Sequence, residues 1–255
     1  MEKIKHEFAA IYVLWLRQIK RHSRSRSRLF MSVFQPLLFL ISFGFGFRNM
    51  YANAGQGNYI DFLAPGIVMM SVVFSAMFAG IEVISDKQFG FLKETLVAPI
   101  SRWSIIFGRT LGGATTAMIQ GVLVLVISLA VGFKPEFAVG ILPALLFMFL
   151  IAILFTAFGS SVATFFSDMH AFPVIINVIV MPMFFLSGAL FPLNGLPDFF
   201  AKILNFNPLV YGVDGLRGSL TGVFHYSFGL DLGILAILVV LILWLGAWLF
   251  SRVEG

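Results

Sequence analysis

Long apolar runs dominate the pattern of this chain, separated by short segments that hold most of the charged residues. An α-helix needs about 20 mostly apolar residues to cross a bilayer, and six runs reach that length. None of them alternates strictly between apolar and polar positions, as a transmembrane strand would. We therefore predict an all-α membrane protein with six spanning helices, in the segments 29–47, 62–81, about 105–133, between Glu136 and Asp168, about 171–191, and 232–251.

The first 28 residues differ from the rest in being polar and amphipathic. Apolar residues recur there at helical spacing among lysines and arginines, at Ile4, Phe8, Ile11, Tyr12, Trp15 and Ile19. This spacing predicts an amphipathic helix in the membrane interface. The Ser-Arg run at 23–28 resembles some RNA-binding segments, but it adjoins a spanning helix, which favours contacts with lipid phosphates and no nucleic-acid partner. No signal-peptide pattern is present, so we expect the segment to be retained.

The distribution of lysine and arginine predicts the orientation of the spans. With the N-terminus in the cytoplasm, 13 of the 17 Lys and Arg residues fall on the cytoplasmic side and 4 on the outer side. Such a bias is typical of cytoplasmic loops and sets the topology. We predict one domain over 1–255, in which 1–28 is the cytoplasmic amphipathic segment, 29–251 the six-helix membrane region and 252–255 a cytoplasmic tail.

Two connections between the predicted spans are longer than the others. The cytoplasmic one covers 82–104, between the second and third spans, and the outer one covers 192–231, between the fifth and sixth. In the outer connection, Pro197 and Asp198 are typical of a helix start, Asn207-Pro208 ends that helix, and 211–220 forms a second. Phe199, Phe200, Ile203 and Leu204 are expected on one face. Because the connection is largely apolar, we expect short helices that re-enter the outer leaflet.

The composition disfavours catalytic chemistry in this chain. Hydrophobic residues make up 59% of it and charged residues 11%, and cysteine is absent, which excludes thiolate metal sites and thiol nucleophiles. None of the four histidines is paired at metal-ligand spacing, so no metal site is predicted. Ser160, Ser161 and His170 are close in sequence but lack a nucleophile, base and orienting group, and are expected at a helix interface and in a loop. A Gly-Lys dipeptide is also absent, which excludes a Walker A phosphate loop.

An ion-coupled secondary transporter that works without an ATPase is the alternative class. Such carriers place ionisable groups inside the membrane. The inner parts of the predicted spans lack them, and Asp61, Glu82 and Arg109 lie near span ends where they can reach the interface. The milder polar residues Gln35, Gln120 and Asn177 either join helices by hydrogen bonds or line a translocation path. The alternative is disfavoured but stays open.

The cytoplasmic connection carries a resemblance to a known family. It contains the acidic and basic stretch 86–94, then Leu96-Val97-Ala98-Pro99, and Gly108-Arg109 at the start of the third span. The outer segments 186–192 and 207–217 fit the same pattern before the last span. In order and spacing these elements resemble the ABC-2 type transporter permeases, in the branch of daunorubicin-type drug-resistance and nodulation-factor export permeases. The resemblance covers essentially the whole chain.

The resemblance implies a transport subunit of an ATP-driven exporter in the plasma (inner) membrane of a prokaryote. Two permeases, expected as a homodimer, pair with two separate ATPase subunits, and ATP and Mg are bound by those partners. The cargo class is an amphipathic drug, a lipid or a lipid-linked glycan. Pro99 is expected to end the coupling helix of the cytoplasmic connection.

The resemblance also implies which residues couple this chain to the ATPase. They are consecutive in the cytoplasmic connection: Asp86, Lys87, Gln88, Phe89, Gly90, Phe91, Leu92, Lys93, Glu94 and Thr95. Phe89, Phe91 and Leu92 are expected as apolar anchors, and the charged members as pairs at the rim of the contact. The outer segment is expected to gate the exit through Phe199, Phe200, Leu204 and Tyr211. Gly108, Gly112 and Thr116 permit a close helix contact, either within one protomer or between two.

Overall fold

A computed structural model describes residues 2–24, 26–53, 57–136, 138–193 and 197–251, which form eleven α-helices, one short 3₁₀ helix at Ala138–Gly140 and no strand. The predicted tail 252–255 lies outside the described residues. The α-helices are α1 Glu2–Ser23, α2 Arg26–Gly46, α3 Arg48–Asn53, α4 Tyr59–Gln88, α5 Phe91–Val97, α6 Arg102–Val131, α7 Ile141–Ala163, α8 Ala171–Phe185, α9 Asp198–Asn205, α10 Pro208–Thr221 and α11 Phe228–Ser251.

Four of these helices, α4, α6, α7 and α11, are long and apolar enough to cross a membrane. Two shorter apolar helical stretches, Ser32–Gly46 and Ala171–Phe185, coincide with the first and fifth predicted spans. The prediction of an all-helical, multi-pass membrane protein is confirmed, while the count of six spans stays a prediction. The largest difference in boundaries is at α4, which continues seven residues past the predicted end at 81 and reaches Gln88.

Helix α4 is the centre of the bundle, because most of its residues are buried by α2, α6, α7 and α10. Small residues allow the closest approaches. A Cβ on Gly80 would meet the backbone oxygen of Gly159 on α7, and one on Gly113 of α6 would lie 2.8 Å from the Ala79 Cβ of α4. Without a hydrophobic driving force in lipid, such close backbone packing is a main source of helix association.

Helix α1 packs along the first half of α6. A Cβ on Gly108 would lie 2.8 Å from the Leu14 Cβ, and one on Gly112 would lie 2.5 Å from the Gln18 Cβ. The Trp15 indole N–H also donates to the Thr115 hydroxyl at 3.1 Å. The two glycines singled out in the sequence therefore make a contact within one protomer.

The third member of that predicted set, Thr116, lies elsewhere. Thr116 donates to the Gly113 carbonyl of its own helix and does not join the contact with α1. On α1 itself, Phe8 and Tyr12 are exposed, as expected for a helix that also meets the membrane interface.

The start of α6 is fastened to α1 by hydrogen bonds. The Glu7 carboxylate accepts from the backbone N–H and the hydroxyl of Ser101, and from the Ser104 hydroxyl. The Ser101 hydroxyl in turn caps the helix by accepting from the Ser104 N–H at 3.1 Å. The hydrogen bond from Ser104, followed by those from Ser101, lowers the pKa of Glu7, so the carboxylate stays ionised and capping at neutral pH.

We predict that Gly112→Leu detaches α1 from α6, because even the Cβ of the added side chain would lie 2.5 Å from the Gln18 Cβ. Overpacking of this kind costs about 1–3 kcal/mol. The expected result is a lower thermal stability in detergent and faster tryptic cleavage within α1. Gly233→Leu on α11 is the matched control, since no described atom lies within 4 Å of its Cβ position. Equal behaviour of the two variants would contradict the contact.

The two ends of the helical bundle carry different charged residues. At the end that we call the basic end, the last turn of α4, the start of α6, the end of α7 and helix α1 come together through Asp86, Arg109 and Lys87. At the opposite end, the Asp61 carboxylate accepts from the Lys134 N–H at 3.0 Å, beside α10 and the start of α11.

The outer connection folds into two helices, as the sequence indicates, but the second begins three residues before the predicted start at 211. Helix α9 starts at Asp198, and α10 starts at Pro208 after Asn207, whose side chain accepts from the Leu209 N–H at 3.0 Å. Helix α10 is almost entirely buried against α4, α7 and α11. Its glycines allow this: a Cβ on Gly212 would lie 2.6 Å from Ile151 Cγ1 of α7.

Candidate functional site

A buried carboxylate, Asp86, organises the basic end. One of its oxygens accepts from Arg17 at 2.7 Å and from Arg21 at 3.4 Å, both on α1, and the other accepts from Arg109 of α6 at 2.7 Å. Arg21 also donates to the Ser85 hydroxyl at 2.8 Å. One acid thus holds the end of α4 to both α1 and α6.

Arg109 is the most deeply buried member of this cluster, with a side chain only 3% exposed. It is therefore held inside the bundle by Asp86, and its depth in the membrane stays a prediction. Its Nε and Nη1 atoms make no hydrogen bond to other described residues, so Asp86 is its main counterion. A buried cation without such a partner is strongly destabilising.

The segment after α4 turns sharply at Gly90, whose φ of 79° lies in the left-handed region that favours glycine. The short helix α5 follows and ends at Val97, two residues before Pro99, where the sequence places its end. Two aromatic side chains flank the turn with large exposed surfaces: Phe89 is 69% exposed and Phe91 is 48% exposed. The Arg17 guanidinium lies 5.5 Å from the Phe91 ring centroid and joins this surface to α1.

The ten residues assigned to coupling do not share one environment. Asp86 is buried and paired within the chain, which corrects the expectation that it forms a rim pair with a partner. Lys87 and Gln88 are exposed but donate to the backbone oxygens of Thr164 and Ser167 after α7, at 3.4 and 2.6 Å.

The remaining coupling residues lie in α5. Glu94 is exposed, and the Thr95 hydroxyl donates to the Phe91 carbonyl of its own helix at 2.9 Å. The side chains of Leu92 and Lys93 lie outside the described residues. The coupling role of the segment stays a prediction.

Two of the three residues predicted for a translocation path line one cavity. Gln35 and Gln120 both contact a space of about 360 Å³ between α1, α2, α4 and α6. The Ser32 hydroxyl of α2 donates to Gln120 Oε1 of α6 at 2.7 Å, which is the interhelical bond that the sequence left open beside the path. Asn177 lies elsewhere, exposed on α8, and donates to the Pro173 carbonyl of its own helix.

The residues predicted for an outer gate are also divided by the fold. Leu204 and Tyr211 are buried in the bundle, whereas Phe199 is exposed, so the expectation of one shared face for Phe199 and Leu204 is wrong. The Tyr211 hydroxyl donates to the Asn205 carbonyl at 2.8 Å and ties α10 to α9. The side chain of Phe200 lies outside the described residues.

Arg217 anchors α10 in a way that the sequence analysis missed. Its guanidinium donates to the backbone oxygens of Phe62, Gly188 and Ala189, and its Cζ lies 3.9 Å from the centroid of the Phe62 ring. Asp214, one turn earlier, accepts the backbone N–H groups of His225 and Tyr226. The only available signal was a cation and an acid three residues apart in an otherwise apolar segment.

We predict that Arg217→Gln destabilises the fold, because three backbone oxygens lose a charged donor. Hydrogen bonds to a charged group contribute about 1.5–3 kcal/mol each, so the loss should exceed that of one neutral bond. The measurement is thermal unfolding in detergent. Lys202→Gln, on the exposed surface of α9, removes the same charge without these bonds and should change the unfolding temperature little. A similar drop in both variants would argue against the anchor.

The bundle defines a class first: an all-helical, multi-pass membrane protein with a charged cluster and exposed aromatic residues at one end. The chain matches the ABC-2 type transporter family over residues 9–221 and belongs to it. It is therefore a transport permease, a non-catalytic transmembrane component, and in this family ATP binding lies in a separate ATPase subunit.

Several relatives support the same assignment. The chain is 30% identical over 211 residues, 81% of this chain and 72% of the relative, to the putative transport permease ycf38 of Cyanophora paradoxa. It is 28% identical over 239 residues, 91% of each protein, to the inner membrane transport permease YadH of Escherichia coli K12. It is 27% identical over 207 residues, 80% of this chain and 79% of the relative, to nodulation protein J of Rhizobium leguminosarum bv. viciae.

Proposed function

We propose that this chain is the permease of an ATP-driven exporter, with six spans and with the basic end in the cytoplasm. The observation that carries the proposal is the pair of exposed aromatic residues, Phe89 and Phe91, held at that end by an ordered turn. Exposed aromatic side chains surrounded by polar groups are typical of the centre of a protein contact. A separate ATPase subunit is the partner that the family implies.

The orientation rests on charge and connectivity. The arginines Arg17, Arg21 and Arg109 meet at the basic end, and a cytoplasmic location follows the positive-inside rule. Both chain ends are then cytoplasmic. The plasma (inner) membrane of a prokaryote is the proposed location, and YadH, a relative, is named an inner membrane permease.

The fold offers a direct route for force from the ATPase to the membrane. Helix α4 runs without a break from Tyr59 to Gln88, so its last turn and the centre of the bundle belong to one rigid element. The Asp86 cluster joins that last turn to α1 and α6. Movement of α5 would then shift three helices together, which would transmit a change at the ATPase to the bundle.

The proposed assembly contains two copies of this chain and two ATPase subunits, with ATP and Mg bound by the ATPases. Membrane lipid is the other partner, met by the exposed Phe8 and Tyr12 of α1 and by its basic residues. No nucleic-acid partner is proposed.

An amphipathic drug, a lipid or a lipid-linked glycan is the proposed cargo. The Phe-rich spans favour such molecules over small ions, and the described lining of the cavity contains no lysine or arginine. The exposed Phe199 is the member of the predicted outer gate whose position suits a moving element.

The experiment is to express the tagged chain in its native host and to identify proteins that co-purify after mild solubilisation. We expect a stoichiometric partner with a Walker A sequence, and vesicles that contain both proteins should transport cargo only with MgATP. An ion-coupled secondary transporter would instead purify alone and transport under a proton or sodium gradient. That second result would overturn the proposal.

A further inference from the structure

The cavity between α1, α2, α4 and α6 has the size and the chemistry of a ligand site. Its volume of about 360 Å³ falls in the range of small-molecule pockets. It lies in the half of the bundle nearer the basic end, because its lining runs along α4 from Met70 to Glu82. Gln18 and His22 of α1 close it on that side.

Two buried glutamines of the lining have unused hydrogen-bonding groups. Gln120 is 1% exposed; its Oε1 accepts from Ser32, but its Nε2 makes no hydrogen bond to another described residue. Gln18 is 8% exposed, and within the described part of the chain its amide makes no hydrogen bond either. Both residues line the cavity, so a polar occupant can satisfy these amides, as buried polar groups in proteins normally are.

The remaining polar residues of the lining offer acceptors. The Ser71 hydroxyl donates to the Val68 carbonyl and the Thr116 hydroxyl to the Gly113 carbonyl, each at 2.7–2.8 Å. Their proton is thus used within the helix, and the oxygen lone pairs are left for a donor in the cavity. Amide donors and hydroxyl acceptors together match a group that both gives and takes hydrogen bonds.

The charge of the lining narrows the class of ligand. Glu82 and His22 are its ionisable residues among those described, and neither adds a fixed positive charge that would pair with a phosphate or sulfate. An uncharged headgroup with hydroxyl or amide groups fits better than an anionic one.

The mouth of the cavity opens between α2 and α4. Of the described lining, Gln35 on α2 and Phe78 on α4 are the exposed residues, and Phe74 lies half-buried one turn from Phe78. An aromatic wall beside an opening at this depth suits a hydrocarbon tail that passes from the cavity into the surrounding leaflet.

We propose that this cavity binds an amphiphile, with its uncharged, hydroxyl- or amide-bearing headgroup on Gln18 and Gln120 and its tail leaving between α2 and α4. Binding itself is independent of the proposed function; that the bound amphiphile is cargo rests on it. The site belongs to a single protomer and is floored by α1, which the Asp86 cluster joins to α4.

The absence of cysteine allows a direct test in the full chain. Ser75→Cys places a single thiol on the half-buried wall of the cavity. Its labelling rate with N-ethylmaleimide is measured in phosphatidylcholine vesicles alone, with added monoglucosyl diacylglycerol, or with added phosphatidylglycerol. We expect the glucosyl lipid to slow labelling about tenfold, as occupancy of the site shields the thiol, and the anionic lipid to have little effect. Thr221→Cys, half-buried at the opposite end, is the control and should respond to neither lipid.

A second substitution tests the headgroup contact. Gln120→Leu in the Ser75→Cys background removes the unpaired amide and should weaken protection by the glucosyl lipid about tenfold in lipid concentration. Gln18→Leu in the same background removes the other proposed headgroup amide and should weaken protection likewise, so the test stays decisive if Gln120→Leu fails to fold. Equal protection by both lipids would overturn the headgroup assignment, and protection by neither would leave the cavity to water and overturn the proposal.

Addition of the ATPase subunit and MgATP distinguishes a transported amphiphile from a resident membrane lipid. Protection that falls on addition of MgATP identifies the bound molecule as cargo, whereas unchanged protection identifies a resident membrane lipid; both uphold binding. Failure of ATP-driven transport with intact protection would count against the proposed function alone.

Discussion

Phe89→Asp should abolish binding of the ATPase subunit and ATP-driven transport while the permease stays folded. Phe89 is 69% exposed at the turn before α5, so its replacement removes no core contact. An aromatic residue at the centre of an interface typically contributes at least 2 kcal/mol, and a charge there adds a desolvation cost, so we expect about thirty-fold or greater loss of affinity. The measurement is the ATPase retained on the immobilised permease, together with MgATP-dependent transport in vesicles.

Phe206→Asp is the matched control, because Phe206 is an aromatic residue of the opposite end that is 89% exposed. It should leave ATPase retention unchanged, and both variants should elute from size exclusion like the parent chain. Undiminished transport by Phe89→Asp would remove the coupling role from this segment. Loss of retention in both variants would show that the effect is not specific to the basic end.

Asp86→Asn should be among the most destabilising single substitutions at the basic end. Asp86 is the main counterion of Arg109, whose side chain is 3% exposed, and removing one partner of a buried ion pair costs about 3–5 kcal/mol. The two α1 arginines would lose the same negative charge, so α1 should also become accessible to trypsin. Thermal unfolding in detergent and tryptic cleavage of α1 are the two readouts.

The double variant Asp86→Asn/Arg109→Gln distinguishes loss of the charge pair from loss of shape. With the buried cation gone, part of the stability should return, and the interaction energy from the double-mutant cycle should be large. Asp168→Asn provides a control, because Asp168 accepts from the His170 N–H on an exposed loop and should matter little. A double variant no more stable than Asp86→Asn alone would contradict the pairing.

The short helices of the outer connection show how far local chemistry leads. Pro197 and Asp198 predicted the start of α9, because caps and fixed proline dihedrals act within one turn of the chain, whereas α10 starts at Pro208, three residues before the predicted start at 211. Local chemistry does not determine which side of a helix is buried against the rest of the protein. Leu204 and Phe199 were assigned to one face, but Leu204 is buried beside α10 while Phe199 is exposed.

The residues predicted to line a translocation path were likewise only partly placed correctly by the sequence. Gln35 and Gln120 stood out in the sequence as polar residues within apolar runs, and they do line one cavity. Asn177 carried the same signal but satisfies its amide within its own helix, on the exposed side of α8. The sequence shows that a span contains a polar residue. Whether that residue faces a cavity or the exposed surface depends on how the helices are rotated against each other.

By itself the sequence determined the lengths of the apolar runs, the concentration of positive charge at one end and the ends of the short helices. These properties depend on the cost of placing polar groups in lipid and on contacts within a turn, so they can be deduced from neighbouring residues. The tertiary structure alone decided that Asp86 pairs with Arg17 and Arg109, and that Arg217 anchors α10 to Phe62. Those partners are far apart in the chain. Only the packing of whole helices brings each buried charge to the groups that neutralise it or accept its hydrogen bonds.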